Sequence, residues 1–571
     1  MRTINSLSMS SLAVLLLAVL AVFLSNLHGG SAKRTLSPRT HRIICVAVFA
    51  LGCFIRLFRL GTLPEGISAE EALVGVQAKA LWQTGGFLFD GQLTTQLAQW
   101  TGESSGPLLA VLTAPFVGLF GLNAWTTRLP LALLSCAAIA AAYGIGSRLS
   151  GKRAARWCLT IYALCPYFVL SARMTCGACT AVCLLPMAVY ALLKGMERPV
   201  YLYAGAILMG LMAYAQDMYF FISPLAVVIA CVTAAAYGMK KRHALCAGAL
   251  GMLICLPAVL TLWVNLSGAE GFDLLGIVHI PALESFDKAQ SVLDTLTPGY
   301  EHELFRWKVW AVILGAVFQA VGHLNISGEL FAPQGLLVLY VISIPLMLLG
   351  GFALFRGFLQ GRRSERTQRY GRVMVLLLAA ATLTCLVLYG SVGVLNTDAG
   401  CTSVFDYSSV FLFDALLMAA GLCRVERRSS AGISAVSTLF AACFVMLCLH
   451  LFGAGYRDNA NVYFHGFGDL AAKAESIQNE TDAKVNIAGT VYPHIAPSDA
   501  AEMMYLYAVD ADMKEVQKLR GEAYEVIYAP GVEEPDAHQV YLVAPKDITT
   551  WDLTPFDYEE NGEYVLLSPR S

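Results

Sequence analysis

The chain has 571 residues, 57% of them hydrophobic and 14% charged, with a mean hydropathy of +0.60. A soluble domain carries about 25% charged residues, so this balance excludes an ordinary water-soluble enzyme and points into a bilayer. The net charge of −2 excludes bulk attraction to nucleic acid, which is not expected as a partner.

Apolar runs predict spans at 10–27, 43–60, 129–147, 157–171, 178–194, 200–216, 219–237, 244–264, 335–355, 373–391, 408–423 and 432–454, each near the length a bilayer needs. The first is read as a retained anchor, because it lacks a convincing small-residue cleavage site and the basic cluster Lys33–Arg42 follows at once. Further basic clusters occur at Arg148–Arg156, Lys194 with Arg198, Lys240–Arg242, Arg362–Arg372 and Arg424–Arg428. The positive-inside rule places all six in the cytoplasm. Residues 107–120 and 309–323 are apolar but short, and crossing there would move a basic cluster outside. They are expected to lie in the outer interface, within two long outer loops, 61–128 and 265–334.

After residue 455 the pattern changes to helix-like stretches at 467–478 and 499–519 and strand-like ones at 484–492, 524–529, 539–545 and 563–567. The fold class is therefore an all-α polytopic membrane protein of about 12 transmembrane helices with a small C-terminal extracytoplasmic α/β domain. Its divisions are an N-terminal anchor and cytoplasmic loop (1–42), a membrane domain (43–454) and the outer domain (455–571). Twelve of the cysteines lie in apolar runs, where a thiol is a small hydrophobe. Cys176-x-x-Cys179 abuts a span and lacks a thioredoxin-like context.

The first outer loop opens Gly61-Thr-Leu-Pro64-Glu-Gly-Ile-Ser68-Ala-Glu70-Glu71-Ala72. Ser68 and Glu71 form a capping box for a helix over 69–84, whose apolar stripe (Leu73, Val76, Ala80, Leu81) is expected to rest on the membrane surface. Glu70 and Glu71 then fall in the first turn. There they either complement the helix N-terminus or supply a general base at the interface.

A second signal is arginine on the outer side. Arg56 and Arg59 end one span, Arg128 begins another, Arg173 sits at an outer turn, and Arg306 precedes the second short helix. Snorkelling to headgroups explains one or two of them. Several together suggest an anion, since a planar guanidinium grips phosphate through two hydrogen bonds. Asp217 at an outer span end, Asp398, Asp406, and Asp414 inside a predicted span complete the polar candidates; His323 and Asn325 read as plain loop residues. The Asn265, Asn325 and Asn479 sequons carry no weight.

Arg56-Leu-Phe-Arg59-Leu-Gly-Thr-Leu-Pro64, Ser68-Ala-Glu-Glu-Ala72, Gly106-Pro-Leu108, Gly118-Leu-Phe-Gly121 through Arg128-Leu-Pro130, and Pro166–Arg173 together resemble the C-type membrane glycosyltransferases, the group of protein O-mannosyltransferases, aminoarabinose transferases and bacterial relatives. The resemblance covers 43–240 well and the remainder in layout. It implies a polyprenyl-phosphate-linked sugar donor in the membrane lipid, a protein, glycan or lipid acceptor, and inversion at the anomeric centre. By the same resemblance the base is in the first turn, Glu70 or Glu71, where relatives carry Asp-Glu. Arg59, Arg128 and Arg173 would hold the donor phosphate, with Asp217 and Arg306 as an additional polar site. Glu103-Ser-Ser-Gly-Pro107 stands where some relatives place a lysine, which leaves the phosphate to arginines. No cofactor is required, and a divalent cation beside the phosphate is compatible. Competing readings are a lipid or small-molecule transporter, for which Asp414 is the strongest feature, and a non-catalytic cell-surface assembly protein anchored by its spans.

Overall fold

The computed structural model describes residues 37–88, 91–97, 99–100, 103–104, 106–216, 219–282, 339–340, 342–359, 366–395, 409–453, 466–488, 498–519, 524–527, 529, 532, 534–562 and 564–570. The expected span at 10–27, the short helix at 309–323, and Asp217, Arg306, His323, Asn325, Asp398 and Asp406 lie outside them.

Among the described residues, the membrane region contains helices α1 (Pro38–Leu57), α2 (Ala69–Thr84), α3 (Leu108–Phe120), α4 (Ala124–Ser150), α5 (Lys152–Leu164), α6 (Pro166–Leu170), α7 (Gly177–Gly195), α8 (Pro199–Leu211), α9 (Tyr219–Ala236), α10 (Lys241–Ser267), α11 (Ser343–Leu359), α12 (Arg366–Leu395), α13 (Val410–Arg428) and α14 (Ser430–Phe452). Six helices among the described residues are long and apolar enough to cross a membrane. Bulky apolar side chains such as Val46, Val232, Leu245, Leu253 and Leu449 are exposed on them. Such surfaces are unstable in water and natural in lipid, so the chain is a multi-pass membrane protein.

Several expectations are corrected in detail. The run 157–171 breaks into α5 and α6 at Cys165, because the residue before Pro166 is disfavoured in helical geometry. Helix α2 spans the predicted residues with both hydrogen bonds of the capping box present. It does not rest on one apolar face, however. Ala72, Leu73, Val74, Gly75, Val76, Gln77, Ala78 and Ala80 are all buried, because α2 is held between α3 and a helix of the C-terminal domain.

The basic clusters converge on one end of the bundle. Arg148 pairs with Glu197 at 3.0 Å, Arg156 with Glu426 at 2.7 Å, and Arg372 donates to Leu149 O. His41, at the start of α1, lies within electrostatic reach of Lys152, Arg156 and Glu426. Arg128 and Arg148 sit on the same helix 20 residues apart, which at 1.5 Å per residue separates them by about 30 Å, the thickness of a hydrocarbon core. The loop bearing Glu70 therefore lies at the end opposite the basic one.

Helix α3 has 13 residues, about 20 Å, which is short for a crossing. A membrane-impermeant thiol reagent applied from outside is expected to label cysteines placed at both ends of 107–120 in a protein freed of native cysteines. Labelling at one end alone would make it a span.

Beyond α14 come α15 (Phe467–Thr481), α16 (Ser498–Ala508) and α17 (Met513–Leu519). Five strands make one mixed sheet with Val540–Val543 at its centre: Val485–Ala488 lies between Tyr524–Ile527 and Val540–Val543 and is parallel to both, and Val540–Val543 pairs antiparallel with Tyr564–Pro569, which pairs antiparallel with the edge strand Phe556–Asn561. The strand 556–561 is not predicted from sequence. Its four middle residues, Asp557 to Glu560, are all exposed, so it lacks alternation, and an acidic edge strand resists further pairing. The predicted helix 499–519 is two helices, broken at Asp510, whose φ is +48°.

Candidate functional site

Helix α1 ends at Leu57, and the chain then turns irregularly through residues 58–66 before α2. The last carbonyls of a helix and those of an irregular turn lack intrahelical donors and cannot be left bare near lipid. Three buried arginines supply the donors. Arg56 Nε donates to Ser135 Oγ at 2.7 Å, and its terminal nitrogens donate to the carbonyls of Gly52, Tyr162, Ala163 and Phe168. Arg173 donates to the carbonyls of Ile55, Arg56, Phe58, Arg59 and Leu63. Its positive charge also sits where the α1 dipole is negative.

Arg128 completes the set. Its Nε and Nη2 grip Glu71 bidentately, at 2.8 and 2.9 Å. Nη1 donates to Leu60 O and Pro64 O, and Nη2 to Gly66 O. Both side chains are essentially inaccessible. Glu71 also accepts from the N–H groups of Ser68 and Thr175, so it joins α2, α4 and the turn before α7.

These contacts sort the expected site residues into two groups. Arg128 and Arg173 are drawn into the protein, where the terminal nitrogens of both donate to backbone carbonyls and Arg128 also grips Glu71. The expectation that they grip a donor phosphate meets guanidiniums already committed, and a base role for Glu71 meets a carboxylate locked in an ion pair. Glu70 and Arg59 face out. Glu70, next along the first turn, is exposed, and its charge acts on the thiols of Cys176 and Cys179 at the start of α7. Arg59 is exposed, with φ +52°, a conformation costly for a residue with a Cβ. Its carbonyl is held by Arg173 and by the N–H groups of Thr62 and Leu63, while its Nε makes one long contact to Thr62 Oγ1 at 3.4 Å. The turn thus carries one exposed carboxylate and one exposed guanidinium on a backbone fixed from beneath.

Asp414 is buried on α13, one turn beyond Phe411, whose ring lies 4.2 Å from that of Tyr167. Among the described residues, no group of three His, Cys, Asp or Glu side chains could hold a metal. Sequence reasoning missed Tyr507. Its hydroxyl meets Thr127 Oγ1 at 3.0 Å across 380 positions, and no local pattern announces such a contact. Thr175 was also missed, although it sits between two flagged residues, Arg173 and Cys176.

Residues 104–261 match the dolichyl-phosphate-mannose-protein mannosyltransferase family. The matched segment contains Arg128 and Arg173 and begins after Arg59 and Glu70. No curated protein matches the chain. Among solved structures, the chain is similar to the archaeal oligosaccharyltransferase AglB from Archaeoglobus fulgidus in complex with an inhibitory peptide and a dolichol-phosphate, at 13% identity over 82% of this chain and 63% of that one, with a TM-score of 0.45. It is similar to ArnT from Cupriavidus metallidurans bound to undecaprenyl phosphate, also at 13% identity, over 93% of this chain and 98% of that one, with a TM-score of 0.45. The chain spans less than two thirds of the oligosaccharyltransferase.

Proposed function

We propose that the protein is a membrane glycosyltransferase that moves a sugar from a polyprenyl-phosphate carrier to an acceptor hydroxyl or amine on the extracytoplasmic face, with inversion. The observation that carries this reading is the turn at residues 58–71, where Arg59 and Glu70 stand exposed at the non-basic end of the bundle while Arg128 and Arg173 hold the backbone from within. The family match over 104–261 supports a polyprenyl-type phosphate donor. The full reading includes about twelve spans and an extracytoplasmic C-terminal domain.

A carrier lipid keeps its tail in the bilayer and its phosphate at the interface, the level of this turn. Glu70 takes the acceptor proton as the acceptor oxygen or nitrogen forms a bond to the anomeric carbon. The bond from that carbon to the phosphate oxygen breaks on the opposite face, and the lipid phosphate leaves with the electron pair. Arg59 stabilises the charge that builds there.

The test is transfer by the purified protein from polyprenyl-phosphate sugars, together with donor affinity of Arg59 variants. Arg59→Ala is expected to weaken donor binding about tenfold or more, the loss of charged hydrogen bonds. Arg59→Lys should fall between, because it keeps charge and loses the fork. Equal affinities for wild type and both variants would remove Arg59 from the phosphate, and no transfer from any such donor would remove the activity.

A further inference from the structure

Glu71, Gly75, Lys79 and Gln83 follow one another at intervals of four, so they form a single line along α2. Arg128 holds the first of them, and the C-terminal domain touches the other three. A Cβ at Gly75 would lie 2.5 Å from Tyr507 Cε2, so only glycine leaves room for that ring. Lys79 Nζ donates to the carboxylate and the carbonyl of Asp510, at 2.6 and 2.7 Å. Gln83 Oε1 accepts from Met513 N at 2.9 Å. The break between α16 and α17 is what brings Asp510 and Met513 to this line.

Tyr507 reaches further. Thr127 spends its hydroxyl proton on Asn123 O at 3.0 Å, so at the 3.0 Å contact with Tyr507 the phenol is the donor. Burial raises the Tyr507 pKa, and both Glu71 and Arg128 are near enough to act on it electrostatically. The Lys79–Asp510 pair is half open to solvent and worth little. The docking therefore rests on the Tyr507 ring in the Gly75 notch and on its bond to the residue preceding Arg128.

We infer that the C-terminal domain is a positioning device for the outer loop: Tyr507, seated between Gly75 of α2 and Thr127 of α4, keeps the Glu71–Arg128 pair in register and thereby sets where Glu70 is presented. Its catalytic consequence rests on the proposed role of Glu70. Its structural content does not.

Hydrogen exchange on the full chain in lipid nanodiscs tests it. In Tyr507→Phe the amides of residues 68–76 should exchange about fivefold faster, the effect of one lost hydrogen bond. In Tyr507→Ala they should exchange more than about tenfold faster. Protection of the strands at 540–543 and 564–569 should be unchanged in both. Thr127→Val combined with Tyr507→Phe should be no worse than Thr127→Val alone, because that variant has already lost the bond to the phenol. In transfer assays kcat should fall while donor KM holds, with Phe between wild type and Ala. Unchanged exchange at 68–76, or loss spread equally over the two strands, overturns the inference. So does faster exchange with unaltered kcat. A wild type that transfers no sugar, with the exchange results as expected, removes the proposed activity and leaves the docking intact.

Discussion

Glu71→Gln is expected to cost about 3–5 kcal/mol of stability, because it leaves the buried Arg128 charge without its carboxylate. The pair is sealed on both sides, so water cannot replace the lost partner. The thermal transition of the purified protein should fall clearly, and the yield of folded protein in the membrane should fall with it. Arg128→Met should cost a similar amount, since Glu71 would then keep only N–H donors from Ser68 and Thr175 and the carbonyls of Leu60, Pro64 and Gly66 would lose theirs. The double variant should cost less than the sum of the two, because removing both charges ends the imbalance. Wild-type melting of Glu71→Gln would show that the pair contributes nothing, and a base role for Glu71 would then reopen.

Glu70→Gln is the complementary case. It should leave melting nearly unchanged, since an exposed substitution is usually within about 0.5 kcal/mol and the helix N-terminus loses only about 0.3–1 kcal/mol of charge complementarity. Sugar transfer should fall by about 10²–10⁴, the usual worth of a general base, while donor binding is retained. Glu70→Asp should recover much of the rate, because a shorter carboxylate performs the same proton transfer. Turnover near that of wild type in Glu70→Gln would end the assignment of Glu70. The two adjacent glutamates thus give opposite signatures, one in stability and one in rate.

Adjacency in sequence hid that division. Composition and capping put both carboxylates in the first turn of α2, and the capping box with Ser68 is present as read. Which of them turns inward depends on Arg128, 57 positions away, and on Thr175, 104 away. The outer arginines were legible as an anomaly against the orienting rule. Their purpose was not, because a carbonyl without a partner leaves no trace in the side-chain sequence. Arg59, in the same run as Arg56, has a left-handed backbone and stands exposed, whereas Arg56 is buried.

From the residue order alone come the membrane class, most helix positions, the gathering of the basic clusters at one end of the bundle and the change to an α/β domain near residue 455. These follow from hydropathy, periodicity and charge, which act over one or two turns of chain and can be read locally. Tertiary structure alone decided that α2 is enclosed rather than laid on the membrane, that Asp557–Glu560 belong to a strand, and that Tyr507 of the last domain seats on Gly75 of the first loop. Each of these depends on which surfaces meet, and a glycine notch or a phenol bond between residues hundreds of positions apart exists only once the chain has brought them together.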